Sequence, residues 1–302
     1  MSILKKIAKL CGIFLVSLAG LYAVLVLVSF VLARPVKQLP FYAQHEGEHS
    51  PLVLAHQGGE GEYPSNTRIA FDHAAEAGAD VLDTDMHMTK DGVLVLAHDD
   101  VLDYRTNAKG AIGDRTYNEL KLVDFAYNWS PDGGKTYPYR GTGIGVMTLD
   151  ELFTNFPKKR FGVEIKPAAD GAPQKFCDTI QRYKYEDRVL VSSTNQKDMD
   201  AFRKICPRVA TSATTSEART FYIFQRIGLV GLYRFTFNSL QIPEKSGGIT
   251  VMTKWFAGNA HRRGLKIYNW TIDTPDQAAH FVNLGADGIN TSYPARIIAA
   301  QK

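Results

Sequence analysis

Six side chains at four places in this sequence have the types and spacing for phosphate-ester chemistry. His56 closes a short apolar run, Asp83 and Asp85 lie two apart in another, His98 ends a third, and Glu164 and Lys166 lie two apart in a fourth. In a β-strand, residues i and i+2 point to one face, so Asp83 shares a face with Asp85, and Glu164 with Lys166. Three carboxylates facing one pocket raise each other's pKa unless a cation intervenes. Asp83, Asp85 and Glu164 offer hard oxygen ligands, which suit Ca2+ or Mg2+ rather than zinc. Three protein ligands leave coordination positions for water and substrate, as a catalytic metal needs. Lys166 adds a point charge for an anion. His56 and His98 make a general acid–base pair. Taken singly, each element has a plainer reading: Asp-x-Asp as a turn, a strand-end histidine as structure, Glu-x-Lys as a solvated ion pair of little worth. Their joint placement at successive strand ends carries the argument.

The elements that must position them alternate. Short apolar runs at 52–56, 79–86, 93–97, 161–165, 188–193, 208–212, 232–237, 265–270 and 286–290 read as strands. Helical spacing falls between most of them, at 67–77, 173–184, 196–205, 216–226, 249–263 and 275–284. Strand–helix alternation over about 250 residues has the rhythm of a (β/α)8 TIM barrel, an α/β fold whose active site lies at the C-terminal strand ends. Residues 103–147 break the rhythm, being poor in apolar runs and rich in Gly, Tyr, Asn and Asp, and read as an insertion after the third strand.

Residues 10–33 contain no charge. As a helix they rise roughly 36 Å, enough to cross a hydrocarbon core of about 30 Å. The reading is one N-terminal transmembrane anchor within residues 1–37, a polar linker at 38–50, and the barrel at 51–302. A cleaved signal peptide is the rival, because Val31 and Ala33 suit small-residue cleavage, but secretory apolar regions usually run about 7–15 residues. Lys5, Lys6 and Lys9 before the run, against Arg34 and Lys37 after it, favour the N-terminus inside and the main domain extracytoplasmic, on the periplasmic side. Cys177 and Cys206 are compatible with a disulfide there or with two buried thiols.

The chain has 302 residues, 45% hydrophobic and 22% charged, which excludes disordered, collagen-like and disulfide-framework proteins. Its net charge is +4, but residues 1–37 hold five of the 35 basic residues and no acid. The remainder carries 30 basic against 31 acidic residues, a net of −1, so nucleic acid is not indicated.

His56-Gln57-Gly58-Gly59, Pro64-Ser65-Asn66-Thr67, the run Asp83-Thr84-Asp85 through Asp91-Gly92, His98-Asp99 and Val163-Glu164-Ile165-Lys166 resemble the glycerophosphodiester phosphodiesterase family. So do Trp270-Thr271-Ile272-Asp273 and Gly285 through Thr291, and the resemblance runs from about Leu52 to Pro294. It implies a TIM barrel with an insertion, a divalent cation on the positions of Asp83, Asp85 and Glu164, His56 and His98 as acid and base, and Gln57, Lys166 and Trp270 at the substrate. It also implies hydrolysis of glycerophosphodiesters to an alcohol and glycerol phosphate, with attack by a neighbouring hydroxyl and a cyclic phosphate intermediate. There are departures. Gln57 stands where the family commonly has arginine, Ser65 where it has glutamate, and Asp83 where it has glutamate, one methylene longer.

Two segments are unusually aromatic: 125–139, with Tyr127, Trp129, Tyr137 and Tyr139, and 221–237, with Tyr222, Phe224, Tyr233 and Phe235. The plain reading of the second is core; the functional reading is an apolar lip that takes a lysophospholipid from a membrane. Lysophospholipase D or sphingomyelinase-D-like activity is therefore one alternative. A membrane-bound binding protein without catalysis, motivated by Gln57 and Ser65, is the other.

Overall fold

The structure, a computed structural model, describes residues 3–43, 47–167 and 171–301. Eleven strands are β1 (Leu52–Ala55), β2 (Val81–Met88), β3 (Leu94–Leu96), β4 (Arg160–Ile165), β5 (Val189–Ser192), β6 (Ala210–Thr211), β7 (Ser239–Ile242), β8 (Lys245–Ser246), β9 (Ile249–Thr250), β10 (Lys266–Asn269) and β11 (Gly288–Thr291). Eight of them form one parallel sheet in the order β6-β5-β4-β2-β1-β11-β10-β7. A parallel bridge between Ser212 and Ser239 joins the two ends, so the sheet closes into a barrel. Helices at Arg68–Ala77, Ala172–Tyr183, Gln196–Ile205, Thr215–Arg226, Lys254–Arg262 and Pro275–Leu284 lie between the staves.

Side-chain parity divides the core. Val53, Ala55, Leu82, Phe161, Val163, Val189 and Val191 point outward into one sheath against the helices. Leu52, Leu54, Val81, Leu190, Ala210 and Tyr268 form a separate cluster inside the base of the barrel. Phe41, fully buried, closes that cluster from below. Its carbonyl accepts a 2.6 Å hydrogen bond from Arg160, and Tyr42 Oη donates to Ser239 Oγ at 3.0 Å. The start of the segment read as a linker is thus packed against the barrel floor.

Three expectations change. The strand at 93–97 forms, but it pairs antiparallel with β2 (Met86 with Leu96, Met88 with Leu94) and so is a hairpin arm rather than a stave. The insertion follows it and carries its own small core of Leu102, Ile112, Leu120, Phe125 and Val146. No stave forms at 232–237; the sixth stave is Ser239–Ile242. The alternation Tyr233, Phe235, Phe237 that suggested a strand packs instead against the outer sheath, with Phe221 and Phe235 centroids 5.7 Å apart. The helix read from 249 begins at Lys254, because β8 and β9 form a hairpin before it.

The N-terminal helix Ile3–Leu32 is long and apolar enough to cross a membrane, and its residues from Lys5 to Leu21 are exposed. A disulfide joins Cys177, midway along the helix Ala172–Tyr183, to Cys206, just past the end of the helix Gln196–Ile205.

Candidate active site

The inward parity that fills the base with Leu52, Leu54 and Val81 continues upward to His56, Asp83 and Asp85. His56 follows β1 on a sharp turn. Gln57 (φ 53°), Gly58 (φ 79°) and Gly59 (φ 93°) are successive left-handed residues, a path that glycine takes freely and glutamine only under strain. A Cβ at Gly59 would stand 2.9 Å from Pro294, so that glycine is also sterically required. Gln57 is buried, its carbonyl accepts from Asn66 N at 2.8 Å, and its side-chain Oε1 has no partner among the described residues.

Each histidine has a carboxylate beside its Nδ1, hydrogen-bonded at His98 and at ion-pair distance without hydrogen-bond alignment at His56. His56 Nδ1 lies 3.1 Å from Glu60 Oε1, and His98 Nδ1 lies 2.9 Å from Asp99 Oδ1. One guanidinium joins the pairs: Arg105 donates to Glu60 Oε2 at 3.0 Å, to Asp99 Oδ2 at 3.0 Å and to Ser65 Oγ at 2.7 Å. A continuous chain therefore runs His56–Glu60–Arg105–Asp99–His98. Burial works against charge on Glu60, but His56 and Arg105 overcome it and hold the carboxyl down to about 2. Asp99 is likewise lowered, burial being outweighed by His98 and Arg105. Burial pushes His56 down, yet Glu60, Asp83 and Asp85 together leave it raised. A carboxylate hydrogen-bonded at Nδ1, as at His98, fixes the proton there and leaves Nε2 for proton transfer, and Glu60 stands ready to do the same for His56.

The floor carries the predicted carboxylates. β2 and β4 pair in the register Asp83–Gly162 and Asp85–Glu164. Gly162 must lack a side chain, because a Cβ there would collide with the Asp83 carboxylate. Lys166 Nζ bridges Asp85 Oδ1 at 2.9 Å and Glu164 Oε2 at 3.2 Å. Asn290 on β11 donates to Asp83 at 2.9 Å, and Asn66 holds Thr84 and approaches Asp85 at 3.5 Å. Burial pushes the Asp83 carboxyl up to about 7, since Asn290 and His56 supply too little compensation. Glu164 is also raised by burial, against the pull of Lys166.

Among the described residues, no three His, Cys, Asp or Glu side chains converge as metal ligands; Lys166 stands between two of the three carboxylates expected to bind. The donor chemistry nonetheless fits a hard cation. It is all oxygen, the Asp83 carboxyl is partly buried and undercompensated, and Asn290 Oδ1 is buried with no partner among the described residues.

The structure brings His56, Gln57, Asp83, Asp85, His98, Glu164 and Lys166 to one end of the barrel. Trp270 stands at the end of β10, two staves from His56, with its side chain half exposed. Glu60 and Arg105 are additions that the sequence did not suggest. Glu60 could have been sought four residues after His56, but Arg105 lies in an aperiodic insertion with no local signature. The aromatic segments part company. Trp129 joins Arg105 and Tyr104 in a cavity of about 680 Å³ beside Glu60 and Asp99, and its indole donates to Glu60 O at 2.8 Å. The 221–237 segment lies at the opposite end, since the helix Thr215–Arg226 runs down from the mouth and β7 starts up from the base.

The family model for glycerophosphoryl diester phosphodiesterases matches residues 56–296. A glycerophosphodiester phosphodiesterase of Caldanaerobacter subterraneus subsp. tengcongensis is 30% identical over 254 residues, 82% of this chain and 96% of that one. A lysophospholipase D of Rattus norvegicus is 24% identical over 278 residues, 81% of this chain and 84% of that one. The same fold occurs in the glycerophosphoryl diester phosphodiesterase domain of a Mycobacterium tuberculosis protein, at TM-score 0.72 and 18% identity over 84% of this chain and 99% of that one. With a barrel whose mouth gathers paired histidines over buried carboxylates, and a family match across nearly the whole of it, this chain belongs to the glycerophosphoryl diester phosphodiesterase family and is a phosphoric diester hydrolase.

Proposed function

We propose that this enzyme is membrane-anchored and hydrolyses glycerophosphodiesters to an alcohol and glycerol phosphate, with His56 and His98 as the acid–base pair and a divalent cation, Ca2+ or Mg2+, held by Asp83, Asp85 and Glu164. The observation that carries this reading is a carboxylate within 3.1 Å of Nδ1 on each imidazole, with both carboxylates bound to Arg105. Two histidines suit a two-stage reaction. One Nε2 takes the proton of the substrate's neighbouring hydroxyl as its oxygen attacks phosphorus. The other protonates the departing alcohol oxygen as the P–O bond breaks, leaving a cyclic phosphate. The roles then reverse: the second, now neutral, takes a proton from the water that attacks phosphorus, and the first, now protonated, returns its proton to the ring oxygen as that P–O bond breaks, giving glycerol phosphate. Bound on the three carboxylates, a hard cation supplies Lewis acidity toward the phosphoryl oxygens and offsets the carboxylates' charge. Lys166 provides an ammonium for the phosphate anion. Gln57 provides a neutral amide where relatives commonly place a guanidinium, while Arg105 brings a guanidinium from the insertion to Ser65.

A second reading, hydrolysis of lysophospholipids, draws support from the rat relative and from half-exposed Trp270 on the rim. The extracytoplasmic location draws support from the flanking lysines and from the Cys177–Cys206 disulfide, which suits an oxidising compartment. Product analysis decides. Glycerophosphocholine, glycerophosphoethanolamine and lysophosphatidylcholine are each incubated with enzyme, with chelator, and with Ca2+ or Mg2+ restored. Release of glycerol phosphate that stops with chelator is expected. Failure to cleave any diester with either metal present would sink the reading.

A further inference from the structure

We propose that the N-terminal helix stays on the mature enzyme and fastens the barrel to a lipid bilayer base-first, with the turn 227–232 entering the lipid beside it and the catalytic mouth facing away. The helix's apolar run holds three hydroxyl side chains, Ser17, Tyr22 and Ser29. Two of them bond the barrel: Tyr22 Oη donates to Ile227 O at 2.7 Å, and Gly231 N donates to Ser29 Oγ at 2.9 Å. Val26 lies between them against Gly228. Positions 22, 26 and 29 form one stripe of a helix. Gly231 leaves no room for a Cβ against the helix backbone, so the two elements meet closely, as small residues allow between membrane segments.

Tyr22 lies ten residues before Leu32, about 15 Å along the axis at ~1.5 Å per residue. The turn it holds is therefore at hydrocarbon depth if the helix spans. Non-helical backbone survives there only when protein satisfies its polar groups. That condition is met here: besides the two hydroxyls, Arg263 donates to Val230 O and, at 3.1 Å, to Tyr233 O. Of the exposed side chains here, Ile223, Ile227 and Leu232 are apolar and 50%, 41% and 36% exposed, and Arg226 and Arg234 flank them with stems long enough to carry their charges toward the interface. A cleavable leader has no need to complete the hydrogen bonds of the domain it leaves.

The connection has no slack. Arg263 donates to Arg34 O and accepts from Val36 N, Asn238 donates to Lys37 O, and Phe41 is locked in the floor. β2 alone, from base to mouth, rises about 25 Å at ~3.3 Å per residue. Drawing an acyl tail that far out of lipid would expose its methylenes to water along the way. Resting on the activity proposed above, this orientation assigns the enzyme a water-soluble glycerophosphodiester rather than a lysolipid of its own bilayer.

The test uses the full chain in vesicles of phosphatidylcholine and phosphatidylglycerol doped with doxyl-labelled lipid. In a Cys11→Ser background, an environment-sensitive fluorophore is placed on Ile227→Cys, on Ile223→Cys, or on Tyr104→Cys at the mouth. Quenching at 227 and 223 should exceed that at 104 several-fold, and intact mass should show residues before 33 retained. Equal or reversed quenching, or a chain beginning after Ala33, overturns the proposal. Both readouts are independent of turnover: an enzyme correctly quenched but inactive on every diester refutes the proposed activity and leaves the orientation standing.

Discussion

The two ends of the barrel lumen are built from the same strand columns and do opposite work. At the base, Leu52, Leu54, Val81, Tyr268 and the inserted Phe41 make a sealed apolar cluster. One or two inward positions higher, the same columns present His56, Asp83, Asp85 and Glu164, and the environment becomes costly: a carboxyl pushed up to about 7, unpartnered Gln57 and Asn290 oxygens, and a strained turn. Parity alone sends a side chain inside; height along the strand decides whether it serves stability or chemistry.

Substitutions at the two ends can break or sharpen this contrast. The largest effect is expected from Asp85→Asn, which should lower kcat/KM for glycerophosphocholine by about 10³-fold, roughly 4 kcal/mol of barrel-mouth chemistry, while leaving the thermal midpoint near wild type. Comparable turnover in that variant would remove the mouth from the mechanism. Arg105→Ala should cost about 10²-fold, mostly in kcat, because it frees both tethered imidazoles from their set orientation without touching substrate. Lysine at 105 should restore part of the rate, and a change confined to KM would argue against positioning. At the base, Phe41→Ala should cost about 3–5 kcal/mol in chemical denaturation, with unchanged kcat/KM per folded molecule. If that variant instead lost turnover at full stability, the two ends would be coupled. The smallest effect concerns acid. Glu60 is held down to about 2 from an ordinary 4.5, so its contribution to stability is complete above 4.5 and fades as pH falls toward 2. Glu60→Gln should flatten that part of the stability–pH curve; an unaltered acid limb would mean that the His56–Glu60–Arg105 link adds nothing to the fold.

Much of the site was readable because it sits on regular strands. Period two placed Asp83 with Asp85 and Glu164 with Lys166, and the register of β2 against β4 sets Asp85 beside Glu164. Arg105 was hidden because an irregular insertion has no period from which direction can be read. The aromatic run 232–237 misled for a related reason: alternation identifies a two-faced extended segment, whether its partner is a neighbouring strand or the outer sheath. The two aromatic segments look equivalent as strings, yet one follows a strand's upper end and the other leads into a strand's lower end. Only closure of the ring separates them. Ser65 likewise gains a partner that sequence could not show, since Arg105 donates to it from 40 residues away.

Ring closure has a temporal side. β1 pairs with β11, the first stave with the last, and the Asn290–Asp83 bond spans that seam. Synthesis at ~5–20 residues per second delivers β11 roughly 12–47 s after β1. Throughout that interval the first strand keeps an unpaired edge, Asp83 lacks its amide donor, and Phe41 lacks the Tyr268 wall of its seat. The nascent chain thus holds every predicted catalytic side chain long before it has a working pocket, and the enzyme becomes competent in one late event.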